Sequence, residues 1–377
     1  MLKRYRLKDF DFKLVIMLIA ISVLGILAIG SAQSSIQDKQ ILGLVAGLFL
    51  MIIISLFDYT QLLKFYWLFY FGNLFLLILV EFMGNRAGGA QRWFSFFGIT
   101  FQPSELAKIL LILFYAQFIM KQKEKLNSFR TLFRMIGLYI PPLFLVYHQP
   151  DLSTSIILVI IFCVMLYIGG LSFKIIFGVL ALIVPGIIIF LMLVLRPDQN
   201  LIKDYQQTRI LAWLHPSDYV NTEGYQQANS VMAIGSGQLW GKGLNNNIIG
   251  SVKNGNFISE PQTDFIFAIV GEEMGFIGSC TVIVLLFLIA LECLSIGRRS
   301  KDTAGMIICG GMAAIIGFQS FMNIAVATSL MPNTGIPLPF VSAGLTSLVS
   351  LFIGMGFVLN VRLQGKNLNT KQNGGFS

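Results

Sequence analysis

The chain has 377 residues, of which 55% are hydrophobic and only 12% are charged, and its mean hydropathy is +0.76. Soluble domains carry about 25% charged residues, so this composition excludes an ordinary soluble protein, and lipid must be the solvent for most of the chain. The net charge of +9 does not indicate nucleic-acid binding, because the basic residues are spread between apolar segments and form no single patch.

Apolar runs long enough to cross a hydrocarbon core, about 17 to 20 residues each, recur along the whole sequence. We therefore predict an all-α integral membrane protein with about ten transmembrane helices, forming one polytopic membrane domain over residues 1–377. The predicted spans are, in chain order, Leu14–Ile29, Ile41–Phe57, Leu62–Met83, Ser104–Met120, Thr131–Tyr147, Asp151–Gly169, Phe173–Leu195, Asp264–Ile296, Thr303–Leu330 and Leu338–Val361.

Basic residues are concentrated on one side of this predicted bundle. Two segments on that side carry most of them, namely Lys3, Arg4, Arg6, Lys8 and Lys13 before the first span and Lys121, Lys123, Lys125, Arg130 and Arg134 after the fourth. The short loops on the opposite side carry Lys39, Arg86 and Arg92. Because basic loops stay in the cytoplasm, both termini are predicted to be cytoplasmic.

One long segment, residues 196–263, separates the seventh and eighth spans and is predicted to be a large extracytoplasmic loop. Aromatic residues occur throughout it, which distinguishes it from a disordered linker. Leu201–Leu214 mixes charged and apolar residues as an interfacial helix does, although an ordinary ordered loop also explains it. Two further outer segments, Gly84–Pro103 and Met331–Gly344, are rich in glycine, and the three segments together predict a cavity at the outer interface.

Ionisable residues at the outer helix ends are the candidates for chemistry, because charges in or beside lipid are costly to retain. Glu105 and Lys108 are three residues apart and share one helix face, either as a local ion pair or with Lys108 binding an anionic substrate. Asp151 and Asp264 open the sixth and eighth spans, where a carboxylate also serves as a helix cap. Further along the eighth span, Glu272 and Glu273 are interpreted as structural.

The remaining residue types disfavour zinc and redox sites. The chain has 2 histidines and 4 cysteines, and the cysteines all fall inside predicted spans, where we interpret them as packing residues. What is left is carboxylate chemistry with lysine and arginine at a membrane surface. That combination suits the deprotonation of a hydroxyl group and the binding of phosphate.

Four segments carry a recognisable pattern in chain order. They are Gln102–Lys108 (QPSELAK), Gln149–Thr154 (QPDLST), Thr263–Gly275 (TDFIFAIVGEEMG) and Pro332–Ser342 (PNTGIPLPFVS). Together with the predicted topology they resemble the SEDS family, which comprises RodA, FtsW and SpoVE, over nearly the whole chain. One departure follows the last segment, where the family usually has Tyr-Gly-Gly-Ser-Ser and this chain has AGLTS at residues 343–347.

The resemblance implies a peptidoglycan glycosyltransferase that polymerises lipid II at the outer face of the bacterial cytoplasmic membrane. It places the family's essential aspartate at Asp264, which we interpret as the catalytic base for the 4-hydroxyl of the acceptor sugar. The predicted substrate-binding residues are Lys108, Arg209, Lys242, Glu105 and Asp151. The three cations would contact the diphosphate, and the two carboxylates would orient them or help hold a divalent cation, Mg²⁺ or Mn²⁺.

The resemblance also implies partners. These are a class B penicillin-binding protein, which is a single-span transpeptidase, the nascent glycan strand and the elongation machinery. The form of Gln149–Ser155 and of Met331–Pro332 favours the RodA branch, which serves elongation and rod shape, over the FtsW or SpoVE branches. Gly310 and Gly317 share one face of the ninth span, which serves either as a docking face for a partner helix or for internal packing.

Two alternatives from other functional classes stay open at this point. A lipid II flippase is suggested by Pro141–Pro142 and Pro185 inside predicted spans and by the acidic pair in the eighth span. A scaffold that only positions a partner synthase is the second alternative. It is disfavoured by the clustering of ionisable residues at outer helix ends.

Overall fold

The computed structural model describes residues 10–87, 90–96, 99–194, 204–219, 224–245, 251, 255 and 257–373. Within this part of the chain the helices are α1 (Phe12–Ala32), α2 (Ser34–Leu56), α3 (Tyr59–Leu62), α4 (Tyr66–Met83), α5 (Pro103–Lys121), α6 (Phe129–His148), α7 (Leu152–Gly169), α8 (Phe173–Val194), α9 (Asp204–Leu214), α10 (Tyr225–Ser236), α11 (Ile266–Arg298), α12 (Thr303–Ala327) and α13 (Leu345–Asn373). Nine spans among the described residues are long and apolar enough to cross a membrane. The apolar α8, with 22 residues, coincides with the seventh predicted span, Phe173–Leu195.

The prediction of an all-α membrane protein is confirmed, and two span boundaries differ in a way that matters for the site. The eighth span begins at Ile266, so Asp264 lies just before the helix. The tenth begins at Leu345. The residues before it, 332–344, form a loop that we call the proline loop. Prolines in this segment, together with Gly335 at a φ of 70°, prevent an earlier helix start.

α12 and α5 are the most enclosed of the nine described spans, and α12 packs against α11, α7 and α5. Its small residues permit this close packing. A Cβ atom added at Gly310 would lie 1.9 Å from Ile168 Cδ1, and one added at Gly311 would lie 2.9 Å from Ile112 Cδ1. Gly310 therefore serves internal packing, the second of the two predicted explanations, and the docking-face prediction is wrong for this residue.

The outer segment Gly84–Pro103 contains strands, which the all-α prediction did not include. It folds into a small antiparallel sheet with the strands β1 (Asn85–Ala87), β2 (Ala90–Phe96) and β3 (Ile99–Phe101) in that order. The aromatic residues of β2 favour strand structure. The Thr346 hydroxyl at the start of α13 donates to the Thr100 carbonyl over 2.7 Å, which fixes β3 to the bundle.

The long segment 196–263 contains α9 and α10. Residues 196–203, 220–223, 246–250, 252–254 and 256 lie outside the described part, and so does the beginning of the predicted interfacial helix Leu201–Leu214. α10 packs on α11. It is held to the end of α12 by the Ser230 hydroxyl, which donates to the Ala327 carbonyl over 2.7 Å. The large loop is thus attached to the membrane helices.

α11 is interrupted at Gly275, which has a φ of 65° and a ψ of −160°. Residues 238–243 lie against this break, and a Cβ atom at Gly275 would come within 2.3 Å of the Gly241 nitrogen. The amide of Phe276 donates to the Gln238 carbonyl over 2.8 Å, and that of Lys242 donates to the Glu272 carbonyl over 2.9 Å. The outer loop therefore replaces part of the hydrogen bonding that the helix break removes.

Candidate active site

Asp264 lies against the proline loop. The Nδ2 atom of Asn323, on α12, donates to the Asp264 carbonyl over 2.9 Å and to the Ile336 carbonyl over 2.7 Å, so one amide joins the two segments. A Cβ atom added at Gly335 would be 3.3 Å from Oδ2 of Asp264. The proline loop thus approaches the Asp264 carboxylate so closely at Gly335 that a side chain larger than the glycine hydrogen would press on it.

Further hydrogen bonds fix the backbone before Asp264. The Ser342 hydroxyl accepts from the Leu338 amide over 2.7 Å and donates to the Thr263 carbonyl over 2.6 Å. The Ala343 amide donates to the Gln262 carbonyl over 2.9 Å. Since these contacts hold both the loop and residues 262–264, the position of the Asp264 carboxylate is set by the proline loop.

The electrostatic surroundings of Asp264 favour a base that works near neutral pH. The side chain is only partly exposed, and its burial raises the pKa of Asp264 to about 6. Arg209 opposes this shift, Glu260 adds to it, and Arg92 opposes it to a smaller extent. A carboxylate with a pKa near 6 is largely ionised at neutral pH and binds a proton more strongly than an ordinary aspartate.

Glu105 and Lys108 form a buried ion pair of 2.9 Å between Oε1 and Nζ. Lys108 also donates to Gln319 Oε1 over 3.0 Å, and the Gln319 amide nitrogen donates to the Pro337 carbonyl over 2.9 Å. The Ser347 hydroxyl donates to Glu105 Oε2 over 2.6 Å. The pair is therefore linked through Gln319 to the middle of the proline loop and through Ser347 to the first turn of α13, which follows the loop. Diphosphate contact by Lys108 stays a prediction.

Asp151 caps α7, because its Oδ1 accepts from the Thr154 amide over 3.1 Å. Its Oδ2 accepts from Gln102 Nε2 over 3.3 Å, which connects the starts of α7 and α5. The neighbouring Ser153 hydroxyl donates to the Thr334 carbonyl of the proline loop. The capping role proposed from the sequence is present, and the residue lies beside the loop that supports Asp264.

Lys242, the third predicted cation, forms an ion pair with a residue of α11. Its Nζ is 2.6 Å from Glu272 Oε1, a carboxylate that is 2% exposed in its side chain. Glu272 lies about 9 Å along α11 from the first residue of that helix, at 1.5 Å per residue. Glu273 accepts a hydrogen bond from the Ser31 hydroxyl. Of these two predicted cations, Arg209 acts electrostatically on Asp264, whereas Lys242 joins the outer loop to α11.

The carboxylates proposed as metal ligands are already engaged. Both oxygens of Glu105 and both oxygens of Asp151 accept hydrogen bonds from protein groups. Among the described residues there is no group of three or more His, Cys, Asp and Glu side chains that could hold a metal ion. Mg²⁺ and Mn²⁺ need several open oxygen ligands, so Glu105 and Asp151 do not fit such a site in this arrangement.

Comparison with known proteins identifies the family. The family model for cell cycle proteins of the FtsW, RodA and SpoVE type matches residues 9–367. The chain belongs to the FtsW/RodA/SpoVE family. A probable peptidoglycan glycosyltransferase FtsW from Geobacter metallireducens is 31% identical over 374 residues, and the match covers 96% of each chain. The peptidoglycan glycosyltransferase MrdB from Escherichia coli is 32% identical over 362 residues, which cover 95% of each chain.

Solved structures of similar proteins agree with this assignment. One chain of a peptidoglycan synthase complex that coordinates polymerization and crosslinking has a TM-score of 0.77 and 26% identity, covering 94% of this chain and 98% of that chain. The rod shape determining protein RodA from Thermus thermophilus has a TM-score of 0.67 and 26% identity, covering 94% and 96%. The predicted SEDS family membership is confirmed.

Three residues of the site in this FtsW/RodA/SpoVE chain were not predicted, namely Arg92, Gln319 and Asn323. Gln319 and Asn323 are polar residues four apart in an apolar span, so they share one helix face, and this pattern could have identified them. Arg92 had no comparable signal. Its guanidinium donates to the Gln149 and Pro150 carbonyls, a contact between residues far apart in sequence.

Proposed function

We propose that this chain polymerises lipid II into glycan strands as a peptidoglycan glycosyltransferase acting at the outer face of the bacterial cytoplasmic membrane. The enzyme class is that of its relatives, which carry this name in both the FtsW and the MrdB branches. The observation that carries the reaction is Asp264, a carboxylate of raised pKa that is held at the start of a membrane helix and influenced electrostatically by two arginines.

The proposed chemistry is a single displacement. Asp264 accepts the proton of the acceptor's 4-hydroxyl while that oxygen bonds to the anomeric carbon of the donor sugar. The bond from this carbon to the diphosphate oxygen breaks with inversion, and undecaprenyl diphosphate leaves with its electron pair. Cations close to the leaving group stabilise the developing charge. We propose Arg209 for this role, because it acts electrostatically on Asp264.

Lys108 and Lys242 complete the predicted set of diphosphate contacts. The structure supports an additional task for each of them. Lys108, through Gln319, holds the proline loop that supports Asp264, and Lys242 holds the outer loop on α11. We propose that Glu105 and Asp151 orient the site through Lys108 and Gln102, respectively.

The cellular role and the partner belong to the same proposal. We infer that both termini are cytoplasmic, because the basic segment 121–134 lies at the opposite end of the helices from Asp264. The partner is a class B penicillin-binding protein, supported by the similarity to a chain of a peptidoglycan synthase complex. Among the branches we propose a RodA-like role in elongation, supported by the form of Gln149–Ser155.

The decisive experiment is lipid II turnover by the purified full-length protein in detergent, with and without its transpeptidase partner. We expect glycan strands, made faster with the partner present. Detergent has no sides, so a flippase or a scaffold would give no polymer, and that result would overturn the proposal. Chelation by EDTA followed by Mg²⁺ or Mn²⁺ addition tests the predicted cation requirement in the same assay. Complementation of elongation and division mutants tests the branch.

A further inference from the structure

A lateral groove separates α6 and α7 on the surface that faces lipid, at the end of these helices nearest the proline loop. Its volume is about 470 Å³, a size typical of ligand pockets. α6 contributes Leu143, Phe144 and Tyr147 to one wall, and α7 contributes Ile156 and Val159 to the other. The residues follow helical spacing on both walls. The lining surface is apolar throughout, so the groove suits a hydrocarbon chain.

The groove has a closed inner end. The rings of Tyr139 on α6 and Phe162 on α7 stack with centroids 4.2 Å apart. The Tyr139 hydroxyl donates to the Leu158 carbonyl over 2.6 Å. The two helices are therefore joined tightly at this level and leave space between them only in their outer turns.

Two adjacent prolines lie in α6, the helix that forms one wall of the groove. Pro141 and Pro142 lie inside α6 and remove two amide donors from the helix, which favours a kink at this point. The Leu138 carbonyl lies four residues before Pro142 and instead accepts from the Tyr70 hydroxyl over 2.9 Å. Two of the prolines that suggested a transporter in the sequence thus lie in the helix that forms one wall of the groove.

The outer end of the groove meets the active site. The connection between α6 and α7 binds the guanidinium of Arg92, which donates through Nε to the Gln149 carbonyl over 2.8 Å and through Nη2 to the Pro150 carbonyl. Arg92 is also near enough to lower the pKa of Asp264. One residue into α7, Ser153 is bonded to the proline loop. A cation and the proposed base therefore lie at the same end of an apolar groove.

We propose that this groove holds the polyprenyl chain of the lipid-linked sugar donor, with its diphosphate at Arg92. The inference rests on the proposed function. We assign the groove to the donor and not to the acceptor, because the donor's diphosphate is bonded to the reacting carbon and must lie close to Asp264. In the acceptor, by contrast, the diphosphate lies on the far side of the sugars. A diphosphate is negatively charged and therefore complements Arg92. The walls of the groove are apolar and expose no polar group that could bind a polar headgroup.

Filling the groove with a bulky side chain tests its role in turnover. Val159→Trp places an indole in the groove, and Val45→Trp places the same side chain on a lipid-exposed position of α2 as the matched control. We expect Val159→Trp to raise the KM for undecaprenyl-linked substrate about tenfold, since loss of a few methylene contacts has an effect of this size. The kcat should change little. A farnesyl-linked substrate should be affected equally by both variants. Equal KM values for the two variants with the undecaprenyl substrate would overturn the proposal.

A binding experiment separates this inference from the proposed function. The full-length protein in phosphatidylcholine nanodiscs is irradiated with a benzophenone-bearing polyprenyl diphosphate, and the labelled peptides are mapped. We expect labelling within residues 140–160 that undecaprenyl diphosphate prevents and Val159→Trp abolishes. Labelling elsewhere, or equal competition by phosphatidylglycerol, would overturn the groove assignment. Because no turnover is needed, a chain that labels in the groove but makes no polymer would contradict the proposed function alone.

Discussion

At the scale of single residues, the site depends on one carboxylate in an unusual environment. Asp264 combines partial burial with nearby arginines, and the balance of these effects leaves the pKa of Asp264 at about 6. Burial alone would favour the neutral acid, and the cations alone would favour a strongly acidic group. The balance gives a group that is ionised at neutral pH and still accepts a proton.

Asp264→Asn tests this base directly. The amide has nearly the same shape and cannot accept the proton, so we expect polymerisation to fall by about 100-fold or more. The variant should fold, with a melting temperature at or above that of the wild type, because a buried charge is removed. Gel analysis of lipid II products and thermal melting of the detergent-solubilised protein check the two parts. A folded variant with near-normal product would rule out Asp264 as the base.

The pH dependence provides an independent test. Because Asp264 must be ionised, kcat/KM should rise with pH through an apparent pKa of about 6. Arg209 lowers this pKa, so Arg209→Gln should move the rising limb to higher pH, besides any loss in rate. Initial rates over a pH series measure both profiles. An unmoved limb in Arg209→Gln would show that the arginine does not act on the base.

At the scale of elements, the proline loop connects the parts of the site. It accepts from Asn323 and Gln319 of α12 and from Ser153 of α7, and it is packed on residues 262–264. The buried Glu105–Lys108 pair joins the same network through Gln319 and Ser347. Changes in this loop should therefore affect the reaction before they affect the stability of the bundle.

Gly335→Ala tests the approach of the loop to the carboxylate. A positive φ of 70° disfavours alanine by about 1 kcal/mol or more, and the new Cβ atom would press on Asp264 at 3.3 Å. We expect a clear loss of polymerisation with a small decrease in melting temperature. Gly317→Ala is the control, since nothing lies within 4 Å of its added Cβ atom. Equal activity in the two variants would contradict this role of the loop.

Exchange of the charges at positions 105 and 108 tests whether the pair does more than neutralise itself. Glu105→Lys with Lys108→Glu preserves an ion pair but removes the acceptor of Ser347 and the donor to Gln319. We expect at least a tenfold loss of polymerisation in the folded double variant, in line with the effect of displaced site residues. Retained activity would leave the pair with a purely structural role. Gel filtration checks folding, and Ser347→Ala removes one contact alone.

At the scale of the whole molecule, the polar groups of the site gather at one end of the helices, and the basic loop 121–134 lies at the other. Cysteine labelling in intact cells tests this orientation. Trp240→Cys, at a strongly exposed position, should react with a membrane-impermeant maleimide. Glu124→Cys, exposed at the opposite end, should react only after lysis. The wild type, whose four cysteines lie in helices, gives the background. The reverse pattern would contradict the predicted topology.

The sequence by itself determined the membrane spans, the family and the ionisable residues at outer helix ends. These features depend on local composition, since about twenty apolar residues in a row leave few alternatives to a transmembrane helix. Only the tertiary structure decided that Lys108 is buried against Gln319, that Gly310 packs on Ile168, and that Arg92 binds the connection between α6 and α7. The physical reason is that burial, pKa and close packing arise from contacts between residues distant in the chain, which no local pattern specifies.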